Sequence, residues 1–229
     1  MGPRAMTRPA VFVELCAGLA AVSLRLQGGP HCRPPVSRMG NKAGYARAIL
    51  GVLGLRAGLG ADRYIWCEPD DGCRALLDAY TRPEVLREAA GIIRGWKGED
   101  PRALWERLRA LGPIGSPDAA EVAVTQGWGT TGYWCGPDRA GPCGDHPAGW
   151  TGSITLDGIC DKLRPVEWPA TTVEANAYNV APIPSAVVYM DPPYQGTTGY
   201  GTDLPRVDVL DLARRWDAAG ATVCIYEAE

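Results

Sequence analysis

A chain of 229 residues is long enough for one domain carrying an insertion, or two small domains, and for a substantial core. With 46% apolar and 21% charged residues it falls at the globular average, which excludes a disordered or fibrous chain. Its 23 lysines and arginines against 26 acids leave a net charge of −3, which excludes holding nucleic acid by bulk positive charge alone.

Short apolar, β-rich runs alternate along the chain with longer helical patterns, the signature of βαβ units and a parallel sheet. Val11–Leu15 reads as the first strand, followed by a glycine turn and a helix over Ala20–Leu26. The apolar opening Ala10–Leu24 differs from a secretory leader because Glu14 sits in its middle and no clean small-residue cleavage pattern follows. Asn41–Leu55 reads as a second helix, Tyr64–Cys67 as a strand and Asp71–Tyr80 as a helix. Pro83–Trp96 and Pro101–Leu111 each open with proline near a helix start, where its missing N–H costs nothing. Thr171–Ala175 and Ala186–Met190 are further strands, then Pro205–Ala219 is a helix and Ala221–Ile225 a strand. No run reaches the ~18 apolar residues of a membrane span. The expectation is a soluble, cytoplasmic protein with no membrane partner.

Two stretches depart from this rhythm. Between Glu14 and Asp62 there is no acid, while Arg25, Arg33, Arg38, Lys42, Arg47 and Arg56 fall inside the gap. Such a stretch is either a solvated face or a surface for a phosphate or carboxylate ligand. Gly127 to Gly152 holds eight glycines, three prolines, Trp128, Trp134, Trp150 and Tyr133 without helical or alternating period. It reads as a long loop whose aromatic residues suit either nucleobase stacking or pinning the loop to the body.

The eight cysteines, Cys16, Cys32, Cys67, Cys73, Cys135, Cys143, Cys160 and Cys224, contain no CxxC pair, and several lie in apolar runs where free cysteine acts as a small hydrophobe. Cys135, Cys143, His146 and Cys160 fit no standard zinc-finger spacing, so they read as ordinary loop cysteines and no metal is expected. His31 and His146 lack evident partners for acid–base work and read as surface residues, and Glu227 and Glu229 as a solvated end.

The strongest chemical signal is Asp191-Pro192-Pro193-Tyr194, directly after the strand Ala186–Met190. In a parallel α/β sheet, sites form at the carboxyl ends of strands. Two prolines fix φ and remove two N–H donors, leaving carbonyls that only accept, and an ionised aspartate also only accepts. A rigid set of acceptors beside an aromatic face suits an exocyclic amino group on a planar ring. The amino nitrogen of adenine or cytosine is a poor nucleophile because its lone pair is delocalised into the ring. Hydrogen bonds from its N–H groups to Asp191 and the Pro192 carbonyl favour a pyramidal nitrogen with a localised pair, and they stabilise charge as it develops.

Two further segments sit at strand ends. Phe12-Val13-Glu14-Leu15-Cys16-Ala17-Gly18 is a strand running into a glycine turn, where Gly18 permits a ligand to approach backbone. It is not GxGxxG, so a dinucleotide fingerprint is absent. Tyr64 to Glu68 is a strand ending in an acid placed to accept from ribose hydroxyls.

Together these segments resemble the S-adenosylmethionine-dependent DNA amino-methyltransferases, most closely the adenine methylases of the Dam type and their phage relatives. Phe12 to Gly18 is similar to the family's first motif, an aromatic, valine and Glu-Pro-Phe-Ala-Gly; Glu14, Ala17 and Gly18 match while Leu15 and Cys16 replace Pro-Phe. Asp191 to Tyr194 matches the catalytic motif in full. Ser37 to Lys42 is similar to the family's Gly-Gly-Lys segment, although here it follows the first motif instead of preceding it. Asn176 stands near where the family often carries an aspartate on the cofactor adenine. The resemblance spans about residues 11–80 and 170–226, and its specific part is the tetrapeptide.

The resemblance implies a Rossmann-like methyltransferase fold with a mainly parallel sheet flanked by helices. Residues 1–82 and 161–229 would form the S-adenosylmethionine-binding catalytic domain, with 83–160 a helical and irregular insertion that recognises the target. Asp191, Pro192, Pro193 and Tyr194 would be catalytic, and Phe12, Glu14, Cys16, Ala17, Gly18, Lys42, Glu68 and Asn176 would hold the cofactor. The implied partner is double-stranded DNA, contacted by Arg87, Arg94, Lys97, Arg102, Arg107 and Arg109 of the insertion, with the target adenine flipped out. The expected protein is a monomer or works beside a restriction endonuclease. The sequence stops at Glu229, short of the terminal hairpin that methyltransferase sheets add, so the expectation is a domain lacking it. The alternatives are methylation of cytosine at N4 and a truncated module that binds cofactor or DNA without turnover.

Overall fold

The computed structural model describes residues 7–34, 42–96, 98–99, 107, 160, 163–193 and 204–226. Five strands, β1 (Val11–Leu15), β2 (Arg63–Cys67), β3 (Ala170–Glu174), β4 (Val187–Met190) and β5 (Thr222–Ile225), form one sheet in the order β3-β2-β1-β4-β5. Every pairing is parallel, with Glu14 level with Trp66 on one side and Tyr189 on the other. This is the order of a Rossmann-like doubly wound sheet. The chain builds outward from β1 to β3, then returns to β1's other side for β4, leaving a crevice at the carboxyl ends of β1 and β4.

Successive residues of a strand face opposite sides, and here both sides are covered. Phe12, Tyr64, Trp66 and Tyr189 meet α1 (Ala21–Gly28), α2 (Ala46–Val52), α3 (Asp71–Tyr80) and α4 (Pro83–Gly95) in one core. Val13, Leu15, Ile65, Val188 and Met190 meet α5 (Arg206–Ala218) through Val209, Leu212 and Trp216 in the other. The sequence puts α4 at the start of the insertion. Its Val85, Leu86, Ala89, Ala90 and Ile93 are nonetheless buried in the same core as α3, together with Cys160 and Leu163 from the segment leading back to β3.

Local sequence accounts for most element ends. Asp70 caps α3 by accepting from the Cys73 N–H at 2.8 Å, and Pro83 opens α4. The single helix expected over Asn41–Leu55 is instead a 3-10 turn at Lys42–Gly44 followed by the short α2. Gly44 weakens the helix where it breaks. Gly54, at φ 69°, ends α2 in a left-handed turn that pairs the Leu55 N–H with the Leu50 carbonyl and the Gly54 N–H with the Gly51 carbonyl.

Among the described residues no helix is long and apolar enough to cross a membrane. Tyr194, Arg38, Lys97, Arg102, Arg109, the segment Gly127–Gly152, Glu227 and Glu229 lie outside the described residues, as does the helix expected over Pro101–Leu111 apart from Arg107.

Candidate functional site

The switch-point crevice gathers residues from four strand ends. After β4, the Asp191 N–H reaches the Leu15 carbonyl at 3.3 Å, carrying the ladder one residue past the strand. Pro192, buried, and Pro193, half-buried, follow with no N–H to offer. The Asp191 carboxylate is met by Lys42, whose Nζ lies 2.9 Å from Oδ2, with side chains only 8% and 17% exposed for Lys42 and Asp191. Lys42 comes from the 3-10 turn before α2. The structure therefore sets it against the tetrapeptide's acid.

The same ammonium lies 4.9 Å from the ring centre of Tyr226, which follows β5 and ties its N–H to the Met190 carbonyl. Tyr45, 58% exposed, packs tilted on Tyr226 with ring centres 6.1 Å apart. This aromatic rim is invisible in the sequence, because neither tyrosine belongs to a motif. The only signal available to locate Tyr226 was its place just beyond the last strand.

On the other flank, the β1–α1 turn holds Cys16, Gly18 and Ala20 at φ 60°, 53° and 49°. The Ala17 N–H reaches the Cys67 carbonyl at 2.8 Å and the Gly18 N–H reaches Glu68 Oε2 at 2.7 Å. Glu68 is buried, and its Oε1 accepts from the Asp70 N–H at 3.1 Å. The acid at the end of β2 thus fastens the glycine turn to the start of α3. A Cβ built on Gly18 meets nothing within 4 Å, so the turn borders open space. The Cys16 thiol is pushed far above its ordinary value by burial and by the charges of Glu68 and Asp191, so it stays protonated and unreactive.

Glu14 lies deeper, 2% exposed. Its Oε1 accepts from the Ser23 N–H in the first turn of α1, a donor that the helix itself leaves unpaired, while Ala20 at the N-cap supplies no side-chain cap. The Ser23 hydroxyl bonds the same carboxyl and accepts from Trp66 Nε1 at 2.9 Å. Burial, partly opposed by the Ser23 hydrogen bonds, raises the Glu14 carboxyl from 4.5 to about 7, and the Asp191 charge adds to the rise.

The remaining sequence candidates fall elsewhere. Phe12 is fully buried in the core, edge-on to Tyr64 at 6.1 Å. Ala17 is buried within the turn. Asn176 is exposed two residues past β3, and its Oδ1, the oxygen that would take an amino group, caps the next turn through the Tyr178 N–H at 2.9 Å. His31 is exposed. Cys160 is buried with its thiol on the Ala90 carbonyl at 3.4 Å, while Cys135, Cys143 and His146 lie outside the described residues. Among the described residues no cluster of histidine, cysteine and acid suits a metal ion, and Cys16, Cys32, Cys67, Cys73, Cys160 and Cys224 are free thiols.

The crevice therefore offers a carboxylate paired with Lys42, a turn of backbone bordering open space, a second carboxylate at the neighbouring strand end and an aromatic rim. No protein-family model matches this chain, and no curated protein matches it.

Proposed function

We propose that this protein is an S-adenosylmethionine-dependent DNA methyltransferase acting on the exocyclic N6 amino group of adenine. The observation that carries the reading is Asp191, at the switch point ahead of two prolines, with Lys42 on one carboxylate oxygen. Lys42 fixes the orientation of the Asp191 carboxylate, which would accept from an amino N–H of the target. The Pro192 carbonyl offers a second acceptor. Together they draw both hydrogens of the amino group out of the ring plane, localise the nitrogen lone pair and stabilise the positive charge that grows on the nitrogen. Because that amino group is stacked within a duplex, the nucleotide must leave the helix to reach the crevice, where Tyr45 and Tyr226 give its ring aromatic surface.

The cofactor fits the opposite flank. Gly18 leaves open the space a Cβ would fill, and Glu68, an acceptor-only carboxylate at the end of β2, stands beside that turn. S-adenosylmethionine, when bound, supplies an electrophilic methyl carbon. Gly18, Ala17 and Glu68 would hold it, while Glu14 acts through Ser23 by fixing the start of α1.

Incubation with cofactor labelled in the methyl group and duplex DNA, followed by mass spectrometry of the nucleosides, tests the reading. Labelled N6-methyldeoxyadenosine is expected. Labelled N4-methylcytosine would move the substrate to cytosine, and cofactor binding without transfer would leave only a binding module.

A further inference from the structure

Three arginines of the acid-free stretch between Glu14 and Asp62, Arg25, Arg33 and Arg47, are left unused by the chemistry above. Arg25, in the last turn of α1, is 8% exposed. Its Nη2 donates to the Ala43 carbonyl at 3.3 Å, and its buried Nε has no acceptor. The charges of exposed Arg33 and Arg47 act on it and, with burial as the larger cause, hold it below its ordinary value. Among the described residues no carboxylate pairs with Arg25, Arg33 or Arg47. A buried guanidinium among like charges is costly until a counter-charge arrives. An oxyanion brought against the exposed arginines beside it supplies that counter-charge.

The cluster adjoins the crevice. Ala43, which receives Arg25, follows Lys42, and the same short segment then carries Tyr45 at the rim and Arg47 at the start of α2. One stretch of chain thus runs from the carboxylate to the aromatic rim and on to the arginines. A nucleotide whose base enters the crevice keeps its phosphates outside, beside the point of entry.

We infer that Arg25, Arg33 and Arg47 form a cradle for the backbone phosphodiester flanking the nucleotide drawn into the site. This rests on the nucleic-acid reading above. Arg25 is the fixed base that sets the local field, and Arg33 and Arg47 are the arms that reach the phosphate oxygens with a planar fork of donors.

Binding of the full chain to a fluorescent DNA duplex, followed by anisotropy over a salt series, tests the cradle. The double variant Arg33→Gln and Arg47→Gln changes two exposed side chains, so the fold is not at stake, and calorimetry with S-adenosylmethionine provides a control. The expected result is an affinity about tenfold weaker at low salt and a log–log salt slope shallower by about 1, the loss of one neutralised phosphate, with cofactor affinity unchanged. Wild-type binding whose salt slope survives in the variant would overturn the cradle and leave the methyltransferase reading standing. A wild-type chain with no affinity for DNA would overturn both.

Discussion

Asp191 and Lys42 are each mostly removed from water, so each charge leans on the other. Breaking such a pair from one side leaves an uncompensated buried charge, whereas removing both charges does not. Lys42→Met is expected to lower stability by about 3 kcal/mol. Adding Asp191→Asn should restore much of that loss, with a coupling of about 2 kcal/mol in a double-mutant cycle. Urea unfolding of the four proteins measures it, and strictly additive losses would mean that the two side chains do not meet in solution. Asp191, as the first residue of a distinctive tetrapeptide after a strand, was legible in the sequence. The contact with Lys42 was not, because it joins the α1–α2 connection to the end of β4 and no local pattern encodes a crossing of that length. The family resemblance directed Lys42 toward the cofactor for the same reason, since it carries a residue type without its tertiary partner.

At the scale of the element, α1 is capped by a strand. Ser, Thr, Asp or Asn ordinarily stands at the N-cap, but Ala20 stands there and the acceptor comes from Glu14 on β1. Helix signals are read within a few residues of the helix start, so a cap drawn from the preceding strand leaves no local trace. The capping acid carries a pH dependence. Its folded value of about 7 exceeds the unfolded 4.5, so the folded state binds the proton more tightly. The stability it contributes is therefore complete below the unfolded value and is lost as pH rises through about 7. Between pH about 5 and about 8 this group should cost roughly 3 kcal/mol at most. Glu14→Gln keeps a carbonyl oxygen for the Ser23 N–H and removes the ionisation, so its stability should vary less over that window and exceed that of the wild type at the alkaline end. Urea unfolding at a series of pH values checks this, and matching profiles for the two proteins would show that Glu14 ionises as an ordinary surface acid.

At the scale of the whole molecule, the sheet divides two unlike cores, and one substitution should separate them. Trp216, on α5, is fully buried with an indole N–H that has no acceptor, whereas Trp66 is fully buried on the other side of the sheet with its N–H on Ser23 and its ring edge-on to Trp168 at 4.8 Å. Trp216→Phe opens a small cavity but removes an unsatisfied donor, and should change stability by no more than about 1 kcal/mol. Trp66→Phe opens a similar cavity and breaks a buried hydrogen bond, and should cost about 2–3 kcal/mol. Thermal unfolding of both variants compares them, and equal losses would mean that the hydrogen bond to Ser23 adds nothing. The parallel sheet itself was legible, since short apolar runs alternating with amphipathic segments admit few other arrangements, and each expected strand lies within a residue of the observed one. The boundary of the insertion was less so. Proline at the start of Pro83–Trp96 marks a helix, but nothing local says whether its apolar face turns to the main core or to a separate unit, and α4 turns to the main core.

The chain of contacts from Glu14 through Ser23 to Trp66 also has an optical meaning. An indole's emission colour follows the electric field across its ring, and here the Glu14 carboxyl stands at the same level of the sheet, linked to that ring through the Ser23 hydroxyl. Loss of the Glu14 proton should shift the ultraviolet emission of Trp66, which would make that indole a reporter on a buried acid that couples the first strand, the first helix and the charge of Asp191.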